Sequence, residues 1–237
     1  MPRPQLHRHP PFRGRRAFTL VELLTVIAIV AVLAAIAISA TVTARASAQA
    51  ARCSASLRQL QLANIAYANQ NKDRSYVPVF VNGSEVASSG RVLWHGNAGF
   101  VSLLDIHRAI SSTTDLKEAW PRALICPGAT IDGGRIDRSY AYNRTGITAL
   151  YSAPGAKAAV RISDVVRPGR TIAFVDAVNW MMSYDVAFGT YEDETTQDNT
   201  IALRHRGQAN AVFFDGHVER LSNERLVSDA SLWRITP

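Results

Sequence analysis

Residues 15–44 read RRAFTLVELLTVIAIVAVLAAIAISATVTA, a pair of arginines followed by an apolar run that holds a single charge, Glu22. From Leu23 to Ala44 there are 22 consecutive residues without a charge, a glycine or a proline. At 1.5 Å per residue a helix of that length reaches about 33 Å, the thickness of a bilayer's hydrocarbon core. Nothing in the run breaks a helix, so the backbone hydrogen bonds can all close internally, as lipid requires. Buried helices of soluble proteins seldom run so far without a charged face, and a membrane span is expected. Before it, residues 1–17 hold Arg3, Arg8, Arg13, Arg15 and Arg16 and no carboxylate. A basic cluster of this kind stays in the cytoplasm and sends the rest of the chain outward.

The chain has 237 residues, 47% hydrophobic and 19% charged, which suits one ordinary domain with an appendage and is too well mixed for a disordered or collagen-like protein. Its formal charge of +7 belongs mostly to the N-terminus: setting those five arginines aside from the 26 basic residues leaves 21 against 19 acidic ones. The remainder gives no electrostatic argument for nucleic-acid binding. Two cysteines, Cys53 and Cys126, make neither a disulfide framework nor a zinc site by count alone.

A carboxylate at the edge of a spanning segment costs a few kcal/mol, about 3 on insertion scales, unless it is paired or near the interface, so Glu22 requires a reason. The string Arg15-Arg16-Ala17-Phe18-Thr19-Leu20-Val21-Glu22-Leu23-Leu24 resembles the processing site of type IV prepilins and type II secretion pseudopilins. In that family a membrane aspartic peptidase removes a basic leader before a Phe, methylates the new terminal amine, and leaves a Glu four residues on. The resemblance puts Ala17 before the cut, where the family usually has Gly, Phe18 at the methylated terminus and Glu22 at the acidic position. It implies that the Glu22 carboxylate pairs with a neighbouring subunit's terminal amine inside an apolar helix bundle, where water is absent and the attraction is strong. Arg15-Arg16-Ala17-Phe18 also resembles a twin-arginine export signal, with small residues between Ile38 and Ala46 for a signal peptidase. An export signal's apolar region is shorter, about 7–15 residues, and has no use for an embedded Glu.

Beyond the span, residues 45–71 contain no Gly or Pro, and Cys53, Leu57, Leu60, Asn64 and Tyr67 recur three or four apart on one side, with Leu62 and Ile65 on a second. A helix from Phe18 to about Asn71 is near 80 Å long, half for lipid and half for a domain. The cluster Asn69-Gln70-Asn71-Lys72-Asp73 before Pro78 supplies the stop. The organisation expected is residues 1–17 as a cleaved cytoplasmic leader, 18–44 as the transmembrane or filament-core helix, 45–71 as its packed continuation, and 72–237 as an extracytoplasmic domain. That domain is rich in strands, with runs at Tyr76–Val81, Arg170–Val175 and Ala211–Phe214, one further helix within 99–120, and a polar surface loop from Tyr184 to Asn199. The fold class is α+β, and the resemblance makes it type IV pilin-like: one long N-terminal helix and an antiparallel β-sheet domain.

Asp215-Gly216 between Ala211-Val212-Phe213-Phe214 and His217-Val218-Glu219-Arg220-Leu221 predicts a two-residue type I′ hairpin, with Phe213 facing Val218 and Phe214 facing His217. His205, nine residues, then Asp215-Gly216 resembles the H-x9-DG signature of a large group of bacterial prepilin-like proteins. Cys53 with Leu57 to Leu60, Cys126-Pro127, Ser139 to Asn143 and Pro168 to Asp176 fit the same group. His205, Asp215 and His217 invite a metal reading, since imidazoles and a carboxylate suit zinc. The turn explains Asp215, stacking explains His217, and a polar contact explains His205, so no metal is expected there. Glu192, Asp193, Glu194 and Asp198 in the polar loop are a candidate Ca²⁺ site of the kind secretion pseudopilins use, although the spacing is not that of an EF-hand. No Gly-x-Ser-x-Gly occurs to make a hydrolase elbow.

Cys53 lies about 52 Å along the helix from Phe18, clear of the bilayer, in an oxidising compartment where a bridge to Cys126 or a pair of buried thiols is equally admissible. The function expected is that of a non-enzymatic prepilin-like subunit anchored by a single pass in the inner membrane. Its partners are a prepilin peptidase, other pilin-like subunits and a secretion or pilus assembly machine, with no nucleic acid. The alternatives are an envelope protein that never polymerises and whose exported domain binds a ligand or metal, and an exported enzyme.

Overall fold

The structure, a computed structural model, describes residues 18–83, 90–107, 119–130, 134–149, 153–184 and 200–235. The chain divides into two compact units, residues 1–45 and 46–237. Helix α1, Leu20–Gln70, contributes its first part to one and its remainder to the other.

In the first unit every residue from Phe18 to Arg45 is exposed. Leu20, Ile27, Leu33, Ile36 and Val42 each present more than half of their surface, and the stretch is apolar and long enough to cross a membrane. Its hydroxyls turn inward onto the helix backbone: Thr25 Oγ1 donates to the Glu22 carbonyl at 3.0 Å, Ser39 Oγ to Ala35 at 3.2 Å and Thr41 Oγ1 to Ile38 at 2.8 Å. No hydroxyl of these three needs water, which lipid would withhold.

In the second unit the rest of α1 lies on a five-stranded sheet. The strands are β3 (Tyr140–Asn143), β5 (Ile172–Asp176), β6 (Met181–Met182), β7 (Gln208–Phe213) and β8 (Val218–Ser222), ordered β6-β3-β5-β7-β8. A small second sheet pairs β1 (Phe80–Val81) with β2 (Val92–Leu93) and β4 (Lys157–Ala158). Side chains alternate as a pleat demands. Tyr140, Tyr142, Phe174 and Val212 join Cys53, Leu57 and Leu60 of α1 in one core, while Ala141, Ile172, Ala211 and Phe213 join Leu221, Leu226 and Trp233 in the other. Leu226 belongs to α3 (Asn223–Ser228), so the sheet has a helix on each face. The α+β architecture of one long N-terminal helix and a sheet-bearing domain is therefore the observed one.

Polar side chains fix where α1 sits on the sheet. Gln61 Nε2 donates to the Phe214 carbonyl at 2.8 Å, Asn64 Nδ2 to the Tyr142 hydroxyl at 3.1 Å, and Asn64 Oδ1 accepts from Val77 N at 2.9 Å. All three amide contacts are buried, where an unmade bond costs about 1–3 kcal/mol.

Three expectations change. The run Tyr76–Val81 forms a strand only at Phe80–Val81, because Val77 N is taken by Asn64 and Pro78 has no N–H to give. Of the region 99–120, one end is helical at Ala119 and the other forms α2, Ala98–Ser102. Helix α2 closes where Asp105 turns to a φ of 60° and Ile106 N reaches back to the Val101 carbonyl at 3.1 Å; residues 108–118 lie outside the described residues. The sheet is mixed, since β6 pairs parallel to β3. The hairpin loop has three residues: Phe213 N donates to the His217 carbonyl and Gly216 N to the Phe213 carbonyl, both at 2.9 Å, with Gly216 at a φ of 94°. That is a turn followed by a left-handed glycine bulge. The bulge shifts the register by one, so Val212 faces Val218 and Phe213 stacks on His217 at 4.2 Å.

His95 is buried beside Trp94, and neither ring nitrogen has a hydrogen-bond partner among the described residues. Burial pushes its pKa from 6.5 down to about 4, with Asp137 opposing and Arg135 reinforcing. The unfolded chain therefore takes up this proton near pH 6.5, and the folded one only near pH 4. Its contribution to stability is lost as pH falls through that window, roughly 3 kcal/mol in all. Chemical denaturation of the detergent-solubilised chain is expected to show this slope in the wild type and a flatter one in His95→Leu; equal slopes would contradict the assignment.

Candidate functional site

Two places carry chemistry. The first is the mouth of α1. Thr19 stands one residue before the helix and its carbonyl accepts from Leu23 N at 3.2 Å, the bond that makes it the N-cap. Glu22 N donates to Thr19 Oγ1 at 3.2 Å, while Glu22 Oε2 accepts from Thr19 N and from Thr19 Oγ1, both at 2.9 Å. Thr-x-x-Glu is a capping box, in which two orphan backbone donors are satisfied reciprocally. A carboxylate in the first turn also faces the positive end of the helix dipole. Glu22 thus has a role within its own chain, and Oε1 takes part in none of these bonds. Phe18, immediately before Thr19, is exposed; Ala17 lies outside the described residues.

The second place is buried under α1. Cys53 on α1 is joined by a disulfide to Cys126 in the loop before Pro127, with a Cα separation of 5.1 Å. Cys126 Sγ lies 3.7 Å from His205 Nε2, and the same nitrogen lies 3.1 Å from Asp176 Oδ2. Cys53, Cys126 and Asp176 are fully buried and His205 is 5% exposed. Asp176 ends β5, and its Oδ2 also accepts from Asn210 N at 2.7 Å. Its Oδ1 is buried with no hydrogen-bond partner among the described residues. His205 is set by a tight turn into β7: its N donates to the Gln208 carbonyl at 3.1 Å across Arg206 and Gly207, both at positive φ. That left-handed pair is the turn chemistry expected of Asp215-Gly216, found nine residues earlier. Nearby, burial first and the Asp176 charge second hold the Tyr140 phenol well above its ordinary pKa.

The candidate metal trio His205, Asp215 and His217 is not brought together. His205 precedes β7 and the other two follow it, so the six residues of the strand stand between, about 20 Å of extended chain. Asp215 Oδ1 instead accepts from His217 N at 3.1 Å and pairs with His217 Nδ1 at 2.7 Å, on a half-exposed loop. Among the described residues the one grouping of three potential metal-binding side chains is Cys53, Cys126 and His205. The acidic Ca²⁺ candidates Glu192, Asp193, Glu194 and Asp198 lie outside the described residues. Sequence reasoning missed Asp176 as a partner of His205, and no spacing could have supplied it, since the two are joined only by sheet pairing. The capping box it could have found, because Thr-x-x-Glu before an apolar run is a local signal.

Comparison with known proteins finds one likeness. Residues 12–38 match a family model described as the prokaryotic N-terminal methylation motif, 27 of the 237 residues. The chain is prepilin-like on that motif, and the matched stretch covers the arginine pair, Ala17, Phe18, the capping box and the first part of the apolar run. No curated protein and no solved structure matches the chain.

The two cysteines close a loop across 73 residues, so opening the bridge frees much of the unfolded chain. Cys53→Ala is expected to lower the unfolding free energy of the full chain in detergent with a chelator present by about 2–4 kcal/mol. His217→Ala, on its half-exposed loop, is expected to lower it by only roughly 0.5 kcal/mol. Denaturant titration of both variants checks the contrast.

Proposed function

We propose that this prepilin-like chain is the precursor of a structural subunit that a prepilin peptidase cleaves between Ala17 and Phe18, and that then assembles into a type II secretion or type IV pilus-like filament. The observation that carries the reading is a coincidence at one place. A basic leader, the methylation motif and a capped carboxylate all meet at the mouth of an apolar helical segment that is exposed at every residue as far as Arg45. The leader stays in the cytoplasm, the helix passes once through the inner membrane, and the sheet domain lies outside it. The subunit acts by assembly and not by catalysis.

The capping box gives Glu22 two stages. In the lone subunit the helix's own N-terminus and Thr19 offset the cost of holding a carboxylate at the membrane edge. On assembly Oε1 takes the methylated Phe18 amine of a neighbour. Desolvation strengthens that attraction, and the pair sets subunit register.

The mature chain is expected to begin at Phe18 with a methylated amine, read by intact mass and N-terminal sequencing of membrane-purified protein; a terminus near Arg45 would mean export by signal peptidase instead. Glu22→Ala is expected to leave cleavage and insertion intact and to lower recovery in sheared filaments roughly tenfold or more, the effect of leaving one partner of a buried pair alone. Equal recovery of mutant and wild type sinks the pairing role.

A further inference from the structure

We propose that Cys53, Cys126 and His205, with Asp176 completing the set, form a closed site for a thiophilic divalent cation of the zinc class when the Cys53–Cys126 bond is open. The first support is the chemistry of the donors. Two sulfurs, one imidazole nitrogen and one carboxylate are a ligand set for four-coordinate zinc. The sulfurs and the imidazole nitrogen lie within 4.8 Å of one another, and all three residues are buried.

The second support is spacing. With bonds of about 2.3 Å to sulfur and 2.0–2.1 Å to nitrogen and oxygen, tetrahedral ligands stand about 3.6 Å apart for N and S and about 3.3 Å for N and O. Cys126 Sγ and His205 Nε2 are 3.7 Å apart, and His205 Nε2 and Asp176 Oδ2 are 3.1 Å apart. One nitrogen thus already faces a sulfur and an oxygen at the separations of ligands sharing a metal. The third support is independent of both: among the described residues Asp176 Oδ1 is buried without a partner, an acceptor on the same carboxylate that a cation bound there would satisfy.

The exchange balances. A dithiol reductant donates two electrons and two protons, the S–S bond breaks, two thiols form, and the reductant closes its own disulfide. Zn²⁺ then displaces both thiol protons to solvent and takes the two thiolates. His205 binds through the Nε2 lone pair with its proton on Nδ1, and Asp176 supplies the fourth donor as a carboxylate. Disulfide and metal are alternative fastenings between α1 and the domain, so reduction does not release the helix while the cation is present.

Full-length protein in detergent, reduced with a phosphine under inert gas, is titrated with Co²⁺ and then Zn²⁺. The expected result is one Co²⁺ per chain with intense tetrahedral bands and a thiolate charge-transfer band, displaced by one Zn²⁺, and none of these in oxidised protein. His205→Ala, which keeps the disulfide for folding and purification, is expected to weaken Zn²⁺ binding at least about tenfold after reduction. Zn²⁺ is expected to raise the Tm of reduced wild type, but not that of reduced His205→Ala at the same concentration. Weak six-coordinate cobalt bands, equal binding by oxidised protein, or unchanged affinity in His205→Ala would each overturn the site.

Discussion

An apolar helix surface with no partner in its own chain is the constraint on which everything else depends. From Phe18 to Arg45 no side chain is buried, although the segment is dominated by Ala, Val, Ile and Leu. At about 25 cal/mol per Å², leaving that much hydrocarbon in water is prohibitive, so the segment belongs in lipid or among other helices. Its details suit both destinations. The hydroxyls of Thr25, Ser39 and Thr41 are satisfied by the backbone, and the one carboxylate is bonded to the helix's own first turn.

The second half of the same helix meets the opposite demand. It must be tied to a folded domain, and apolar packing by Leu57 and Leu60 alone is non-directional. Direction comes from polar groups placed where they cannot be satisfied any other way. Asn64 bridges a tyrosine hydroxyl and a backbone N–H, Gln61 holds the Phe214 carbonyl, and Ser56 Oγ reaches the Ala123 carbonyl at 3.0 Å. A slip by one residue would leave all of these buried and unmade, which makes register the costly variable and not contact.

What the sequence disclosed follows the range of each interaction. The apolar span and the helical side containing Cys53, Leu57, Leu60 and Asn64 are local patterns, and they are present as read. The strands β5 and β7 were legible because each carries an apolar run, Ile172–Val175 and Ala211–Phe213, whereas Tyr76–Val81 looked equally strand-like and is a strand only at Phe80–Val81, because Asn64 takes Val77 N and Pro78 has no N–H to give. Asp215-Gly216 carried the right turn residues but the loop closed one residue wider, a choice made by Phe214, whose ring meets Tyr76 at 4.9 Å and whose N donates to the Thr171 carbonyl. The partnership of His205 with Asp176 was illegible for a different reason: it requires knowing that β5 and β7 are neighbours.

The spacing from His205 to Asp215 acquires a physical meaning once β7 is seen beside α1. Asn210 and Phe214, four residues apart on and just past the strand, are held by Ser54 and Gln61, seven residues apart on the helix. Four extended residues advance about 13 Å and seven helical ones about 10 Å, so the two elements are commensurate over that interval and both bonds can be made at once. One such bond would pin a point and leave the helix free to slide or rotate about it, whereas two fix its register. His205 and Asp215-Gly216 bracket this stretch, the first anchoring the strand's entry to Asp176 and the cysteine pair, the second bending its exit so that the Phe214 carbonyl meets Gln61. Lengthening or shortening the interval by one residue would invert the pleat between the two anchors, turning Asn210 and Val212 away from the helix and Ala209 and Ala211 toward it.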